Sequence, residues 1–170
     1  MTPALTCFNA LPDEEAVAIL KRCCGASRWA SALALARPFS AMNELFSTAE
    51  ALWGEMERDD YLEAFSHHPK IGASVDSLRE KYASTSAWAS KEQAGVTEAS
   101  EEVLEALRDG NVEYERTYGY IFIVCATGKS APEMLALLEA RLGNPPEVEL
   151  QLAAAEQARI TRIRLEKLEL

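Results

Sequence analysis

The sequence has few of the residues on which metal-dependent, disulfide-bonded and nucleic-acid-binding proteins rely. Its 170 residues include two histidines and four cysteines, and no cluster of lysine and arginine occurs. The formal net charge of -10 disfavours nucleic acid and anionic membranes as partners, because both are bound through clustered positive charge. Neither an H-x-x-x-H pair nor a Cys/His cluster is present, so we expect no metal site.

Long hydrophobic runs and leader-like segments are also lacking. No stretch reaches the roughly 18 apolar residues of a membrane-spanning helix, and no basic region followed by an apolar run opens the chain. The four cysteines, Cys7, Cys23, Cys24 and Cys125, show no C-x-x-C spacing, so we expect reduced thiols rather than disulfides. These features predict an unexported, soluble, cytoplasmic protein.

The residues that are abundant favour helices. Hydrophobic residues make up 48% of the chain, and alanine, leucine and glutamate are frequent. This composition predicts a mainly α-helical protein whose 170 residues form one domain. Gly25 stands where a left-handed stop would end the first helix, and Ser40 where a side chain would cap the third. Apolar periodicity predicts helices at 13–24, 27–36, 40–56, 59–65, 97–118, 131–142 and 147–168, with one or two short helices between 76 and 94.

The segment 121–125 departs from this pattern. Its sequence Ile-Phe-Ile-Val-Cys has the composition of a buried strand, but no second strand candidate exists to pair with it. We therefore expect a buried extended segment or the start of a helix. The Gly128-Lys129-Ser130 run that follows is not a phosphate loop, because Ile123 stands where that loop needs glycine. It predicts the turn and cap of the next helix.

The adjacent histidines are the first candidates for chemistry. His67 and His68 precede a proline in a predicted loop, and adjacent side chains of extended backbone point to opposite sides, so one of them at most faces a given pocket. Spacing alone favours an ordinary surface loop. A Cys-His nucleophile pair stays open, although Cys125 lies where a thiolate would be costly. Arg164, on an apolar helix face, is typical of an arginine that buries its stem. We expect core positions for Trp29, Trp53 and Trp88.

Taken together, several short segments resemble the family of decarboxylases that act on 2-oxo-4-hydroxy-4-carboxy-5-ureidoimidazoline (OHCU). The resemblance covers nearly the whole chain, and the order and spacing of the segments make it specific. It rests on Phe8-Asn9, Cys23-Cys24, Trp29, Arg37-Pro38-Phe39, His68-Pro69-Lys70-Ile71-Gly72, Glu92-Gln93-Ala94-Gly95, Phe122-Ile123-Val124-Cys125-Ala126 and Ile160-Thr161-x-x-Arg164-Leu165.

The resemblance implies an all-α, single-domain multi-helix bundle over residues 1–170. It selects His68, the histidine directly before proline, as catalytic, together with Glu92. Where the family often has serine, this chain has Ala89, which leaves Ser90 as the nearest hydroxyl. The substrate-binding residues that the resemblance implies are Pro69, Ser90, Gln93, Val124, Cys125, Ala126, Thr127, Gly128 and Arg164.

The activity that the resemblance implies is the decarboxylation of OHCU to S-allantoin in urate and purine catabolism. The substrate's own ring C=N can accept the electron pair that CO2 leaves behind, so no cofactor is expected. The family also implies a homodimer. Two alternatives remain: a non-enzymatic helical interaction module, and a hydrolase of the preceding intermediate, 5-hydroxyisourate, against which the helical composition counts. Convergence of His68, Glu92 and Arg164 on one pocket would separate the enzyme from the module.

Overall fold

A computed structural model describes residues 3–70, 74–89 and 100–168, with side chains up to Tyr82 in the helix that reaches Ala89. Its described residues form helices and no strand, which confirms the all-α fold. No helix among them is long and apolar enough to cross a membrane. The helices are α1 (Pro3–Ala10), α2 (Asp13–Cys23), α3 (Ser27–Leu35), α4 (Met42–Gly54), α5 (Arg58–Ser66), α6 (Val75–Ala89), α7 (Glu101–Tyr118), α8 (Ala131–Leu142) and α9 (Pro146–Glu166).

The chain divides into two compact units. The first comprises the residues up to His68 together with those from Leu152 onward, and the second comprises Pro69–Gln151. The expectation of a single domain over 1–170 stays a prediction.

In the first unit, α3 packs against α2, α4 and α5. Its core includes Trp29, which is fully buried, and Trp53, which is 7% exposed. Each indole N–H donates to a backbone carbonyl, Trp29 to Ala49 at 3.0 Å and Trp53 to Ala154 at 2.9 Å. A buried indole needs such an acceptor. The predicted core positions of these two tryptophans are confirmed, and the side chain of Trp88 lies outside the described residues.

Helix α1 was not predicted, and its contacts explain two of the family segments. The side chain of Asn9 donates to the carbonyl of Phe39 at 2.8 Å and accepts from the Phe39 N–H at 2.9 Å. The guanidinium of Arg37 donates to the carbonyls of Phe8 and Leu11, both at 2.8 Å. The two segments therefore fasten α1 to the connection between α3 and α4.

Two predicted helix boundaries are wrong. Gly25 does not adopt a left-handed conformation, because α2 ends at Cys23 and its C-cap residue, Cys24, already has an extended backbone. Ala41 rather than Ser40 is the N-cap of α4, and both the N–H and the hydroxyl of Ser40 donate to Glu44 at 2.7 Å. By contrast, Ser130 caps α8 in a reciprocal pair with Glu133, as predicted.

In the second unit, α7 packs against α6 and α8, and its core holds a buried ion pair. The guanidinium of Arg141 lies 2.5 Å from the carboxylate of Glu149, which is completely buried. Tyr114 and Asn144 also donate to that carboxylate. Since a buried charge is tolerated when it is paired and hydrogen-bonded, these four residues form a satisfied polar core.

Candidate functional site

His68 follows directly from the end of α5. The N–H groups of His67 and His68 donate to the carbonyls of Ala64 and Phe65, so both histidines continue the last turn of the helix. His67 is exposed, whereas His68 is half-buried. The ring nitrogen Nε2 of His68 lies 2.5 Å from Oε1 of Gln157 on α9. The fold of the first unit therefore fixes one histidine and leaves its neighbour at the surface.

A chain of buried polar side chains continues from this contact. Gln157 is completely buried, and its Nε2 donates to the hydroxyl of Thr161 at 3.1 Å. Thr161 in turn hydrogen-bonds the thiol of Cys24, at the end of α2. His68, Gln157, Thr161 and Cys24 thus form one connected network in the first unit.

Arg164 reaches the same region from the next turn of α9. Its Nη1 donates to the carbonyl of Cys23 at 3.2 Å and to that of Arg22 at 3.4 Å, at the C-terminal end of α2. A cation is favoured there, because the helix dipole leaves partial negative charge on the last carbonyls. A guanidinium carries five N–H donors, so Arg164 can hold these carbonyls and still present donors to a ligand.

The surroundings of His68 keep its imidazole neutral. Burial lowers the pKa of His68, and the positive charges of Arg164 and His67 lower it further, against the opposing effect of the hydrogen bond to Gln157. A histidine whose pKa lies below its ordinary value near 6.5 is unprotonated at neutral pH. It can then act as a general base.

The two thiols beside this network are unsuited to nucleophilic attack. Burial raises the pKa of Cys23, and it raises the pKa of Cys24 to about 11. Because the thiolate is the reactive form, both sulfurs are inert at neutral pH. All four cysteines are free thiols, as the sequence predicts.

Gly25 brings the end of α2 against the histidine pair. A Cβ atom at this position would stand 2.4 Å from Cγ of His67. No real Cβ atom approaches another carbon so closely, so the absence of a side chain at Gly25 sets how near the two segments come.

In the second unit, the segment 121–126 has no regular secondary structure and is held by two cations. Arg141 donates to the carbonyl of Ile123 at 2.6 Å, and its guanidinium lies over the ring of Phe122 at 4.7 Å. Lys129 donates to the carbonyl of Cys125, also at 2.6 Å. Irregular backbone at half-buried depth leaves N–H and C=O groups that can serve a ligand. The segment forms neither a strand nor the start of a helix, and the expected burial holds for Ile123 alone, since its neighbours are half-buried.

Comparison with known proteins settles the family. A family model described as OHCU decarboxylase matches residues 9–166. This chain belongs to the OHCU decarboxylase family.

The relatives of this chain differ in the share of their own length that it covers. The uric acid degradation bifunctional protein TTL of Arabidopsis thaliana is 36% identical over 87% of this chain and 45% of its own length. The bifunctional protein PucL of Bacillus subtilis is 30% identical over 82% of this chain and 27% of its own. The chain thus spans less than half of either protein. The OHCU decarboxylase of Haloferax volcanii is 25% identical over 92% of this chain and 90% of its own length.

Two solved structures share the fold. One is a crystal structure of OHCU decarboxylase in the presence of (S)-allantoin, which is 36% identical with a TM-score of 0.70 and covers 92% of this chain and 97% of its own. The other is a crystal structure of (S)-allantoin synthase, 19% identical with a TM-score of 0.68, covering 96% of this chain and 53% of its own. At that lower identity, the second supports the fold alone.

Two of the site residues that the family resemblance implies, His68 and Arg164, lie close together in the first unit. The positive charge of Arg164 lowers the pKa of His68. The second unit contains Pro69 and the segment 124–128, in which Val124, Cys125 and Ala126 are half-buried and the last two residues exposed. Ser90, Glu92 and Gln93 lie outside the described residues, so their predicted roles stay predictions.

Sequence reasoning missed Gln157 and Thr161 as neighbours of the histidine. A signal for them exists on α9, because positions 157, 161 and 164 follow a spacing of four and three residues and so share one face of a helix. Polar residues on a face that also carries Ala153, Ala154 and Leu165 indicate either a buried network or a site. The structure shows the buried network.

Proposed function

We propose that this chain decarboxylates OHCU to (S)-allantoin in urate breakdown, without a cofactor. The observation that carries the proposal is the half-buried, neutral imidazole of His68 beside the cation Arg164, within a fold that matches nearly all of a solved OHCU decarboxylase at 36% identity. The relatives named for urate degradation support the same pathway.

The chemistry needs a proton acceptor and a proton donor rather than a metal. When the carbon–carbon bond to the carboxylate breaks, CO2 leaves and the electron pair passes through the adjoining ring C=N to its nitrogen, which takes up a proton from water. The hydroxyl on that carbon must then lose its proton to become a carbonyl, and the neighbouring carbon must gain one on a single face. His68 takes the hydroxyl proton and returns it to that carbon, because an imidazole can both accept and donate a proton in general acid/base catalysis.

Arg164 supplies the local positive charge that an anionic substrate requires. Because the protein carries a net charge of -10, its overall field repels anions, and a specifically placed guanidinium must compensate. Its planar donors match a carboxylate or a ureido carbonyl.

The other residues implied by the resemblance keep their roles as part of this proposal. Glu92 polarises the substrate or His68 as a second catalytic group. The remaining substrate-binding residues are Pro69, Ser90, Gln93, Val124, Cys125, Ala126, Thr127 and Gly128. We also propose a cytoplasmic location, which four free thiols fit, and a homodimer, which light scattering on the purified protein would test.

The decisive experiment supplies freshly generated OHCU to the purified protein and follows optically active allantoin by circular dichroism. Spontaneous decay gives racemic product, so the optical signal reports catalysis alone. His68→Ala should lower kcat by roughly a hundredfold to ten-thousandfold, the usual contribution of general acid/base catalysis. The matched control is His67→Gln at the exposed neighbouring position, which should retain activity.

Two results would contradict the proposal. A wild-type protein that forms no excess of (S)-allantoin is not an OHCU decarboxylase, and the interaction module becomes the better interpretation. A His68→Ala variant with near-normal turnover removes the histidine from the mechanism.

A further inference from the structure

Gln157 has no exposed surface, which is unusual for an amide in the middle of a helix. A buried amide without partners destabilises a protein, so its hydrogen bonds must be made inside. Gln157 makes them in two directions, through Oε1 to Nε2 of His68 and through Nε2 to the hydroxyl of Thr161. The amide of Gln157 therefore connects His68 to Thr161, one turn further along α9.

The direction of these bonds decides where the histidine proton lies. The amide nitrogen of Gln157 can only donate, and Thr161 accepts from it. The amide oxygen, which can only accept, then faces Nε2 of His68. A neutral imidazole has one protonated nitrogen and one with a free lone pair. If the lone pair were on Nε2, it would face the lone pairs of Oε1, and the contact would be repulsive.

We propose that Gln157 is a positioning residue that holds the neutral imidazole of His68 with its proton on Nε2, and so presents Nδ1 as the basic atom. The inference rests on the proposed decarboxylase function for the identity of the reacting proton. Thr161 and Cys24 hold the amide of Gln157 in place, since Thr161 hydrogen-bonds both that amide and the thiol of Cys24.

The uncharged state of Gln157 is part of this arrangement. The described charged groups that act on His68 are Arg164 from α9 and His67 beside it on the chain, and both disfavour the imidazolium. A carboxylate at position 157 would also accept from Nε2, but its charge would stabilise the imidazolium and remove the free base. An amide orients the ring without that effect.

The first test reads the proton directly. Two-bond proton–nitrogen NMR spectra of 15N-labelled full-length protein, recorded at mildly alkaline pH, distinguish the two tautomers. The protein has two histidines, so the signals missing in His67→Gln assign the remaining set to His68. We expect Nε2–H for His68 in the wild type and a mixture of tautomers in Gln157→Leu. A wild-type His68 with its proton on Nδ1, or an unchanged single tautomer in Gln157→Leu, overturns the inference.

The second test separates positioning from a merely structural role. In the OHCU assay, Gln157→Leu should lower kcat about fivefold to tenfold with little change in KM, the effect of losing one net hydrogen bond. Gln157→Glu, which keeps an acceptor and nearly the same shape, should retain Nε2–H but move the acidic limb of kcat/KM to higher pH by about one pH unit. The matched control is Gln151→Glu, the same change at an exposed position of α9.

The outcomes for the two proposals can be told apart. An acidic limb that moves equally in Gln157→Glu and Gln151→Glu overturns the positioning role, while the decarboxylase activity stands. A wild type with the expected tautomer but no turnover overturns the decarboxylase proposal, while the hydrogen-bond assignment stands.

Discussion

Replacement of Arg141 by methionine tests the polar core that supports the second unit. The change removes the cation 2.5 Å from Glu149, whose side chain has no exposure, and leaves the carboxylate with Tyr114 and Asn144 alone. Breaking a buried ion pair by removing one partner costs about 3–5 kcal/mol. At about 2–4 °C per kcal/mol for a chain of this size, the melting temperature should fall by roughly 6–20 °C. Thermal and urea unfolding followed by circular dichroism measure this.

The controls separate an unpaired buried charge from the loss of an arginine. Arg116→Met removes the same kind of side chain from an exposed pair with Glu113, and should hardly change the melting temperature. Adding Glu149→Leu to Arg141→Met removes the stranded carboxylate and should recover part of the lost stability. Arg141→Met with no greater effect than Arg116→Met would refute the reasoning, as would a double variant less stable than Arg141→Met alone.

Two further predictions concern the first unit. Arg164→Gln should raise the pKa of His68, because a nearby positive charge is lost. The acidic limb of the kcat/KM profile, where the imidazole becomes protonated, should therefore move to higher pH. KM should also increase. Arg164→Lys should keep the limb in place, and a limb unmoved in Arg164→Gln would contradict the electrostatic argument. Gly25→Ala should destabilise the protein by about 1–3 kcal/mol in urea unfolding, since the new Cβ would overlap the ring of His67. Gly54→Ala is the control, because nothing lies within 4 Å of the new Cβ. Equal urea-unfolding midpoints for the two variants would contradict the prediction.

The sequence predicted the helices whose ends carry local signals. Three acids in the first turn mark the start of α2, and the reciprocal cap of Ser130 and Glu133 marks α8. It missed α1, which has only eight residues and no acid in its first turn. Helices so short are marginal without tertiary contacts. The contacts that hold α1 come from residues 37–39, about 30 positions away, and no local pattern contains them.

The sequence also predicted only part of the site, because the contacts that define it join residues far apart in the chain. Spacing favoured a surface loop for the histidine pair, and the family resemblance alone selected His68. His67 and His68 differ through their surroundings, since Gln157 lies 89 residues from His68 in the chain and yet binds its ring. The spacing of Gln157, Thr161 and Arg164 marks one helix face, but it does not show that Gln157 is completely buried or that it contacts His68.

Arg164 links substrate binding to proton transfer in the proposed mechanism. A protein with a net charge of -10 has to attract an anion through a local cation, and Arg164 lies close enough to His68 to lower the pKa of that histidine. The charge that draws the carboxylate therefore also keeps the imidazole unprotonated. CO2 leaves as a neutral molecule, so the substrate's negative charge stays on the ring until the ring is protonated. The positive charge of Arg164 stabilises that ring and disfavours the imidazolium, so it favours transfer of the proton from His68 to carbon. A neutral residue in place of Arg164 would impair both substrate binding and proton transfer. Its effects on KM and on the pH profile should therefore appear together.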